Sequence, residues 1–206
     1  TQESAIVEYE SSKRAFYADF GIHYEFNTTG NQKWAAGLVF APSLQVNHEN
    51  NLTYSNSSTS EGVDKSYHSR TQYLPMHIGT GISMTTERWV VTTDYNYLDW
   101  SRNTSSYTSM KYENQHKLNI GGAYITNPRL PRSTELMGGI GLSNSYINLR
   151  GGKMQYLEVS AGASFPIRYS YLSLGATWRK QINSRSSLMQ ESRFSMNLNI
   201  TFGERI

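Results

Sequence analysis

The sequence predicts an all-β fold, a transmembrane antiparallel β-barrel to which this chain contributes about nine strands. Three observations predict it. Apolar and small polar residues alternate without a break over residues 194–202. The same alternation recurs along the chain in segments of about 9–11 residues, the length of a membrane-crossing strand. Short turns alternate with longer polar connections, and a barrel needs an apolar outer face around a polar interior.

The first four strands follow from apolar residues at every second position. They are residues 15–27, 34–46, 74–84 and 89–100, with apolar faces that include Phe20, Ile22 and Tyr24, then Leu38 and Phe40, then Ile78 and Ile82, then Val91 and Tyr95. Short turns follow the first and third strands. The polar residues 47–69 predict an extracellular, partly mobile loop, because they cannot bury enough apolar area to offset their ordering entropy.

The last five strands are read in the same way. They are residues 118–124, 136–142, 157–165, 172–178 and 188–202, with apolar faces that include Leu118 and Ile120, then Leu136 and Ile140, then Leu157 and Val159, then Leu172 and Leu174, then Met196 and Leu198. Polar loops precede the first, third and fifth of these strands. Proline-containing turns follow the first and third.

The pattern of short turns and longer loops predicts how the strands are oriented in the membrane and whether this chain closes a barrel by itself. Outer-membrane barrels have short turns in the periplasm and longer loops outside the cell. The C-terminus is therefore expected in the periplasm. Residues 1–206 are expected to form a single β-barrel segment, in which residues 1–14 are an extracellular lead-in and residues 15–206 contain the strands, turns and loops. An unpaired edge in lipid costs several kcal/mol for each backbone group. We therefore expect upstream strands of the same protein, or another chain, to complete the barrel, and the first and last strands not to pair with each other.

The composition argues against several other classes. The 206 residues include no cysteine, and no apolar run approaches the roughly 20 residues of a spanning helix. The net charge of +3 comes from scattered basic residues, so a nucleic-acid partner is not expected. We also expect no enzymatic activity and no cofactor, because no catalytic constellation is found.

Inward-facing polar residues are the candidate site residues. The polar residues of the first strand, Asp19, His23 and Glu25, have two interpretations: they form a metal or proton-relay site, or they are polar groups that face a lumen. The second interpretation is favoured, because metal sites usually draw ligands from several elements and have an ordered second shell. No catalytic, cofactor-binding or metal site is therefore predicted. The lumen-facing candidates are Asp19, His23, Glu25, Asp94, Lys117 and Glu158.

Several strings resemble one family of outer-membrane proteins, the FadL-type long-chain fatty acid transporters, in a divergent Bacteroidetes-type branch. These are residues 40–42 (FAP), 74–81 (LPMHIGTG), 89–101 (WVVTTDYNYLDWS), 146–152 (YINLRGG), 171–178 (YLSLGATW) and 194–202 (FSMNLNITF). The resemblance implies a 14-stranded barrel with an N-terminal hatch and passive uptake of hydrophobic molecules. This chain would be the C-terminal portion of such a barrel.

Two functions remain as alternatives to transport across the bacterial outer membrane. One is a non-transporting structural or docking subunit of a larger outer-membrane complex, with outer-membrane lipid and other membrane proteins as partners. The other is a soluble β-sandwich adhesin, which would need a compact core between two sheets.

Overall fold

The structure is a computed structural model. It describes residues 5–28, 32–56, 59–68, 72–105, 107–130, 132–149, 152–167, 170–183 and 190–202. All of their regular elements are β-strands, so the predicted all-β class is confirmed. No helix in this part of the chain has the length and apolar character needed to cross a membrane.

Fifteen strands are numbered in chain order. They are β1 (Ala5–Arg14), β2 (Phe20–Thr28), β3 (Gln32–Ala41), β4 (Leu44–Asn56), β5 (Thr59–His68), β6 (Gln72–Leu74), β7 (Met76–Thr85), β8 (Trp89–Asp99), β9 (Met110–Tyr112), β10 (Gln115–Ile125), β11 (Glu135–Asn144), β12 (Ile147–Leu149), β13 (Gln155–Ile167), β14 (Ser170–Asn183) and β15 (Ser192–Phe202).

The nine predicted strands form the main sheet, in the order β15-β14-β13-β11-β10-β8-β7-β3-β2. All neighbouring strands are antiparallel. Within the described residues the sheet is not closed into a barrel, and its edge strands β2 and β15 do not pair with each other, as predicted. The first strand of this sheet begins at Phe20 rather than at residue 15, since residues 15–19 form no ladder.

The connections between these strands alternate between the two ends of the sheet. At one end, here called the short-turn end, β2 is joined to β3, β7 to β8, β10 to β11 and β13 to β14, each by a connection shorter than its neighbours along the chain. The remaining connections, which include β4, β5, β6, β9 and β12, lie at the opposite end, here called the long-connection end. The alternation of short and long connections predicted from the sequence is therefore present in the structure.

Most of residues 47–69, the segment predicted as an extracellular polar loop, forms strands. β4 pairs with β5, and the start of β4 pairs with β6. Residues 5–14, within the predicted extracellular lead-in, form β1, which pairs with β4 from Arg14–Asn47 to Ala5–Asn56. A strand between two partners satisfies its backbone groups through the ladder, so it does not need the apolar periodicity on which the prediction depended. We call β1, β4, β5 and β6 the extension.

Two prolines lie where the extension meets the main sheet. Pro42 separates β3 from β4, and Pro75 separates β6 from β7. Ala41 pairs with His77 on one side of this junction, and the β4–β6 ladder begins on the other side. Proline has no backbone N–H, so both chains lose a ladder hydrogen bond at the same level. The main sheet and the extension are therefore two separate hydrogen-bonded ladders, although the chain runs from one into the other at Pro42 and again at Pro75.

The sheet has no conventional hydrophobic core. Among the described side chains, Ala41 and Tyr156 are the only apolar ones that are buried, and no large side chain is fully buried. A soluble β-sandwich would bury the facing sides of two sheets against each other. That alternative does not fit the structure, because the main sheet leaves its apolar face uncovered within the described residues.

The main sheet needs glycine where β13 and β14 approach most closely. Gly162 and Gly175 are paired residues on these strands. A Cβ atom on Gly162 would lie 2.9 Å from the carbonyl oxygen of Leu174, whereas one on Gly37 would meet nothing nearer than 3.9 Å. A backbone oxygen cannot move aside as a flexible side chain can.

Gly162→Ala is therefore expected to lower the free energy of unfolding by about 1–3 kcal/mol, because the methyl group forces the two strands apart. Gly37→Ala is the matched control and is expected to be neutral or slightly stabilising, since alanine restricts the unfolded chain. The measurement is the urea dependence of unfolding for both variants. Equal destabilisation would show that the close approach of β13 and β14 does not limit side-chain size.

Candidate membrane-facing surface and partner-binding edges

One face of the main sheet is apolar across its full width. Residues that pair directly with one another form rows perpendicular to the strands, and these rows alternate between the two faces. Two neighbouring apolar rows are Tyr24, Ala36, Ile82, Thr93, Ile120, Ile140, Val159, Trp178 and Phe194, and then Phe26, Trp34, Met84, Val91, Gly122, Gly138, Ala161, Ala176 and Met196.

Many large side chains of this apolar face are exposed. Met196 is 78% exposed, Ile22 71%, Leu198 65% and Ile140 56%. Moving one such side chain out of water stabilises a protein by roughly 1.5–3 kcal/mol. A contiguous exposed surface of this kind marks a contact with lipid or with another protein.

Aromatic rings group at the short-turn end of the apolar face. The rings of Phe26 and Trp34 stack with centroids 6.4 Å apart. Those of Trp89 and Tyr124 lie 4.7 Å apart. Rings at this level of a β-sheet are typical of a membrane–water interface, where one side of the ring is apolar and the other is wet.

The opposite face of the sheet is polar. One of its rows is His23, Gly37, Gly81, Asp94, Asn119, Gly141, Glu158, Arg179 and Arg193. The Asp94 carboxylate accepts hydrogen bonds from the amides of Asn96 and Asn119, at 2.9 Å each. The Asn96 side-chain oxygen lies 2.9 Å from His77 Nε2. This network links β7, β8 and β10 and fixes the amide side chains against the sheet.

Three of the candidate site residues, His23, Asp94 and Glu158, lie in that one polar row. Glu25 lies in the next row on the same face, with its Oε1 3.9 Å from His23 Nδ1. Both side chains are more than half exposed, so this contact contributes little to stability. Lys117 is exposed on the same face, paired with Asn96 on one side and Ser143 on the other.

Asp19 lies just before β2, in the segment without a ladder, so the strand register does not assign it to a row. A hydrogen bond from the Tyr17 hydroxyl to Asp19 raises the pKa of Tyr17, with smaller contributions from desolvation and from the charge of Asp19. The grouping of Asp19 with His23 and Glu25 stays a prediction. No three His, Asp or Glu side chains come together as a metal site in the described ranges.

Aromatic and amide side chains hold the long-connection end together. The rings of Trp100, Tyr112 and Tyr146 stack on one another, with centroids 4.6 Å apart for Trp100 and Tyr146 and 6.2 Å for Trp100 and Tyr112. The Asn103 side chain accepts a hydrogen bond from the Tyr73 N–H at 2.9 Å and donates one to the Tyr73 carbonyl at 2.8 Å. We call this arrangement, together with the paired strands β9 and β12, the collar.

Sequence reasoning missed the collar. Two of its aromatic residues, Tyr112 and Tyr146, lie in connections outside the predicted strands, and their stacking on Trp100 joins residues far apart in the chain. The one available signal was the presence of tryptophan and tyrosine in otherwise polar connections. Three buried polar atoms of the collar have no hydrogen-bond partner among the described residues: Trp100 Nε1, Asn114 Oδ1 and Asn148 Oδ1.

Both edges of the main sheet present unpaired backbone groups. Within the described residues β2 pairs only with β3, and β15 pairs only with β14. β1 also has one partner, β4, and it leads directly towards β2. An exposed strand edge of this length is a template for pairing with another strand. The fold and its surfaces thus define an open, two-faced β-sheet protein with an apolar side and unpaired edges.

The comparison with protein families identifies the particular family. The BamG family model matches residues 1–205, so the chain belongs to the BamG family, which is related to the BAM complex. It is therefore an outer-membrane-associated protein. The comparison with curated proteins gives no significant match. The comparison with solved structures gives no significant match either.

Membership of the BamG family corrects two predictions. The resemblance to FadL-type transporters is wrong, and so is the function in fatty acid uptake that it implied. The strings behind that resemblance are short segments of alternating apolar and polar residues with aromatic ends. Any strand that faces lipid on one side needs this pattern whatever the protein does, so the strings do not discriminate between families. The alternative, a subunit of a larger complex, fits the family better.

Proposed function

We propose that this protein is a structural and docking subunit of the outer-membrane β-barrel assembly (BAM) complex, with no catalytic activity of its own. The observation that carries this proposal is the match of the BamG family model to residues 1–205. Two features of the structure support it: the apolar face and unpaired edges of the main sheet, and the collar and extension at its long-connection end.

The main sheet is proposed to be part of a transmembrane β-barrel, with its apolar face against lipid. β13 carries five apolar residues on that face, from Leu157 to Phe165, a span of about 26 Å along the strand at roughly 3.3 Å per residue. Strands in outer-membrane barrels are tilted by about 35–45°, so this length corresponds to an apolar band of roughly 19–22 Å. That is close to the apolar thickness which such barrels present to the outer membrane.

Strands outside the described sheet are proposed to pair with β2 and β15 and to complete the barrel. They belong to the upstream part of the same protein or to another subunit. The physical reason is the cost of an unpaired edge in lipid, several kcal/mol for each N–H or C=O group. The polar row that contains His23, Asp94 and Glu158 then lines the lumen, where water or other polar groups solvate it.

Docking to the rest of the complex is assigned to the side of the extension next to β1. Tyr9, Phe16 and Tyr17 are 62%, 75% and 53% exposed there. Tyr9 is held in place by a 3.0 Å hydrogen bond from its hydroxyl to Asn50 Oδ1. Exposed aromatic side chains are typical of the energetically dominant part of a protein interface.

The docking proposal is tested by purifying the tagged, intact protein from outer membranes in mild detergent. BAM-complex subunits are expected to co-purify with it. The double variant Phe16→Ser/Tyr17→Ser is expected to reduce their recovery, because it removes the proposed aromatic anchors. Leu130→Ser, which changes a 55% exposed residue at the short-turn end, is the matched control. Purification of the unaltered protein without BAM subunits would contradict the proposal.

Lipid contact is tested with two arginine substitutions at adjacent positions. Met196→Arg places a charge on the apolar face and is expected to cost roughly 2–4 kcal/mol in lipid. Asn197→Arg places the same charge on the polar face and is expected to cost much less. The measurement is the unfolding free energy of both variants of the intact protein in lipid vesicles. Equal costs, or the reverse order, would overturn the assignment of the lipid-facing side.

Topology is tested with single cysteines, since the native sequence has none. The long-connection end is proposed to lie outside the cell, with the C-terminus in the periplasm. A membrane-impermeant maleimide is therefore expected to label Tyr107→Cys in intact cells, because Tyr107 is 71% exposed at that end. Leu130→Cys is expected to react only after the outer membrane is permeabilised. The opposite labelling pattern would invert the orientation.

A further inference from the structure

A cavity of about 760 Å³ lies at the long-connection end of the main sheet. Its floor includes Tyr95, Leu118 and Leu142, which are direct cross-strand neighbours on the apolar face. Lys111, Glu113 and Lys153 come from the connections beyond the strands and form its opposite wall. The volume lies within the range of about 300–1,000 Å³ that small-molecule sites have.

Hydrogen bonds between different strands build the rim of this cavity. The Tyr95 hydroxyl lies 2.7 Å from His116 Nδ1. The backbone N–H of His116 donates to Asn144 Oδ1 at 2.6 Å, and the Asn144 amide donates to the Asn114 carbonyl at 2.7 Å. These bonds tie the segment that carries Lys111 to the ends of β10 and β11. The cavity is therefore a formed feature of the fold and not a gap between mobile loops.

The wall of the cavity carries a positive charge. Glu113 accepts a 2.6 Å hydrogen bond from the Asn148 amide, and its other oxygen lies 3.7 Å from Lys153 Nζ. The Lys153 side chain is 71% exposed and Lys111 is also exposed, so two ammonium groups remain accessible beside one carboxylate.

We propose that this cavity binds a phosphorylated lipid from the leaflet that surrounds the long-connection end. The two lysines face its phosphate, and an acyl chain lies along the leucine floor. This inference rests on the proposed function, because it takes the apolar face to be in contact with lipid. A soluble anion would leave the leucines uncovered, and a purely apolar molecule would leave the lysines unmatched.

The experiment uses the intact protein purified from outer membranes in detergent, with diphosphoryl lipid A as the probe and native mass spectrometry as the readout. One basic side chain beside an anionic lipid surface contributes roughly fivefold to affinity. The double variant Lys111→Gln/Lys153→Gln is therefore expected to bind lipid A roughly 20- to 30-fold more weakly. Leu142→Gln is expected to weaken binding as well, because it makes the floor polar.

Two matched controls separate a specific site from general charge attraction. Lys33→Gln/Arg129→Gln removes two exposed basic residues at the short-turn end and is expected to leave affinity unchanged. Monophosphoryl lipid A, with the same acyl chains and one phosphate fewer, is expected to bind more weakly than diphosphoryl lipid A. All four substituted basic residues are exposed, so both double variants are expected to unfold at the temperature of the unaltered protein.

Three results would overturn the proposal: equal weakening in both double variants, unchanged binding in Lys111→Gln/Lys153→Gln, or displacement of lipid A by inorganic phosphate. The last result would define a plain anion site. Recovery of BAM subunits in the same purification reports separately on the proposed function. If the unaltered protein does not bind lipid A but BAM subunits are recovered with it normally, the lipid site alone is refuted. If it binds lipid A but no BAM subunits are recovered with it, the docking role alone is refuted.

Discussion

The whole structure depends on one constraint: backbone hydrogen bonds must be satisfied while one face of a single-layer sheet stays apolar. The ladder satisfies the interior strands of the main sheet, but it leaves β2 and β15 with one unpaired side each within the described residues. Because no second layer covers the sheet in this part of the chain, burial of large side chains cannot stabilise it as it stabilises a soluble domain. The exposed apolar face and the strand edges are therefore where further stabilising contacts can form.

The main sheet could be predicted from the sequence because each of its strands separates an apolar from a polar environment. Ile22 and His23, or Met196 and Asn197, are neighbours in the chain but lie in rows on opposite faces. A period of two therefore reports the strand directly. The beginning of β2 was misplaced, because Phe16 and Ala18 continue the alternation where the ladder has already ended.

The extension and the collar could not be predicted in this way. Residues 47–56 are polar at nearly every position, so their sequence carries no periodic signal. What orders their backbone is pairing with β1 and β5, which a local pattern does not contain. The collar likewise depends on Trp100 meeting Tyr146 across two connections. The polar row differs from the extension and the collar in this respect. The period of two alone predicted that His23, Asp94 and Glu158 face inward. The strand register joins them in one row, with glycine and asparagine residues between them.

The paired prolines at the base of the extension have a consequence for how this family can vary. Pro42 and Pro75 interrupt the ladder at one level, so strand pairing on one side of that level does not dictate pairing on the other. Insertions or deletions of residue pairs in the β4–β5 hairpin would change its reach while the strands below kept their register. Length polymorphism among relatives is therefore expected to concentrate beyond these prolines. An arm of adjustable length on a constant base would let one scaffold meet partners of different size.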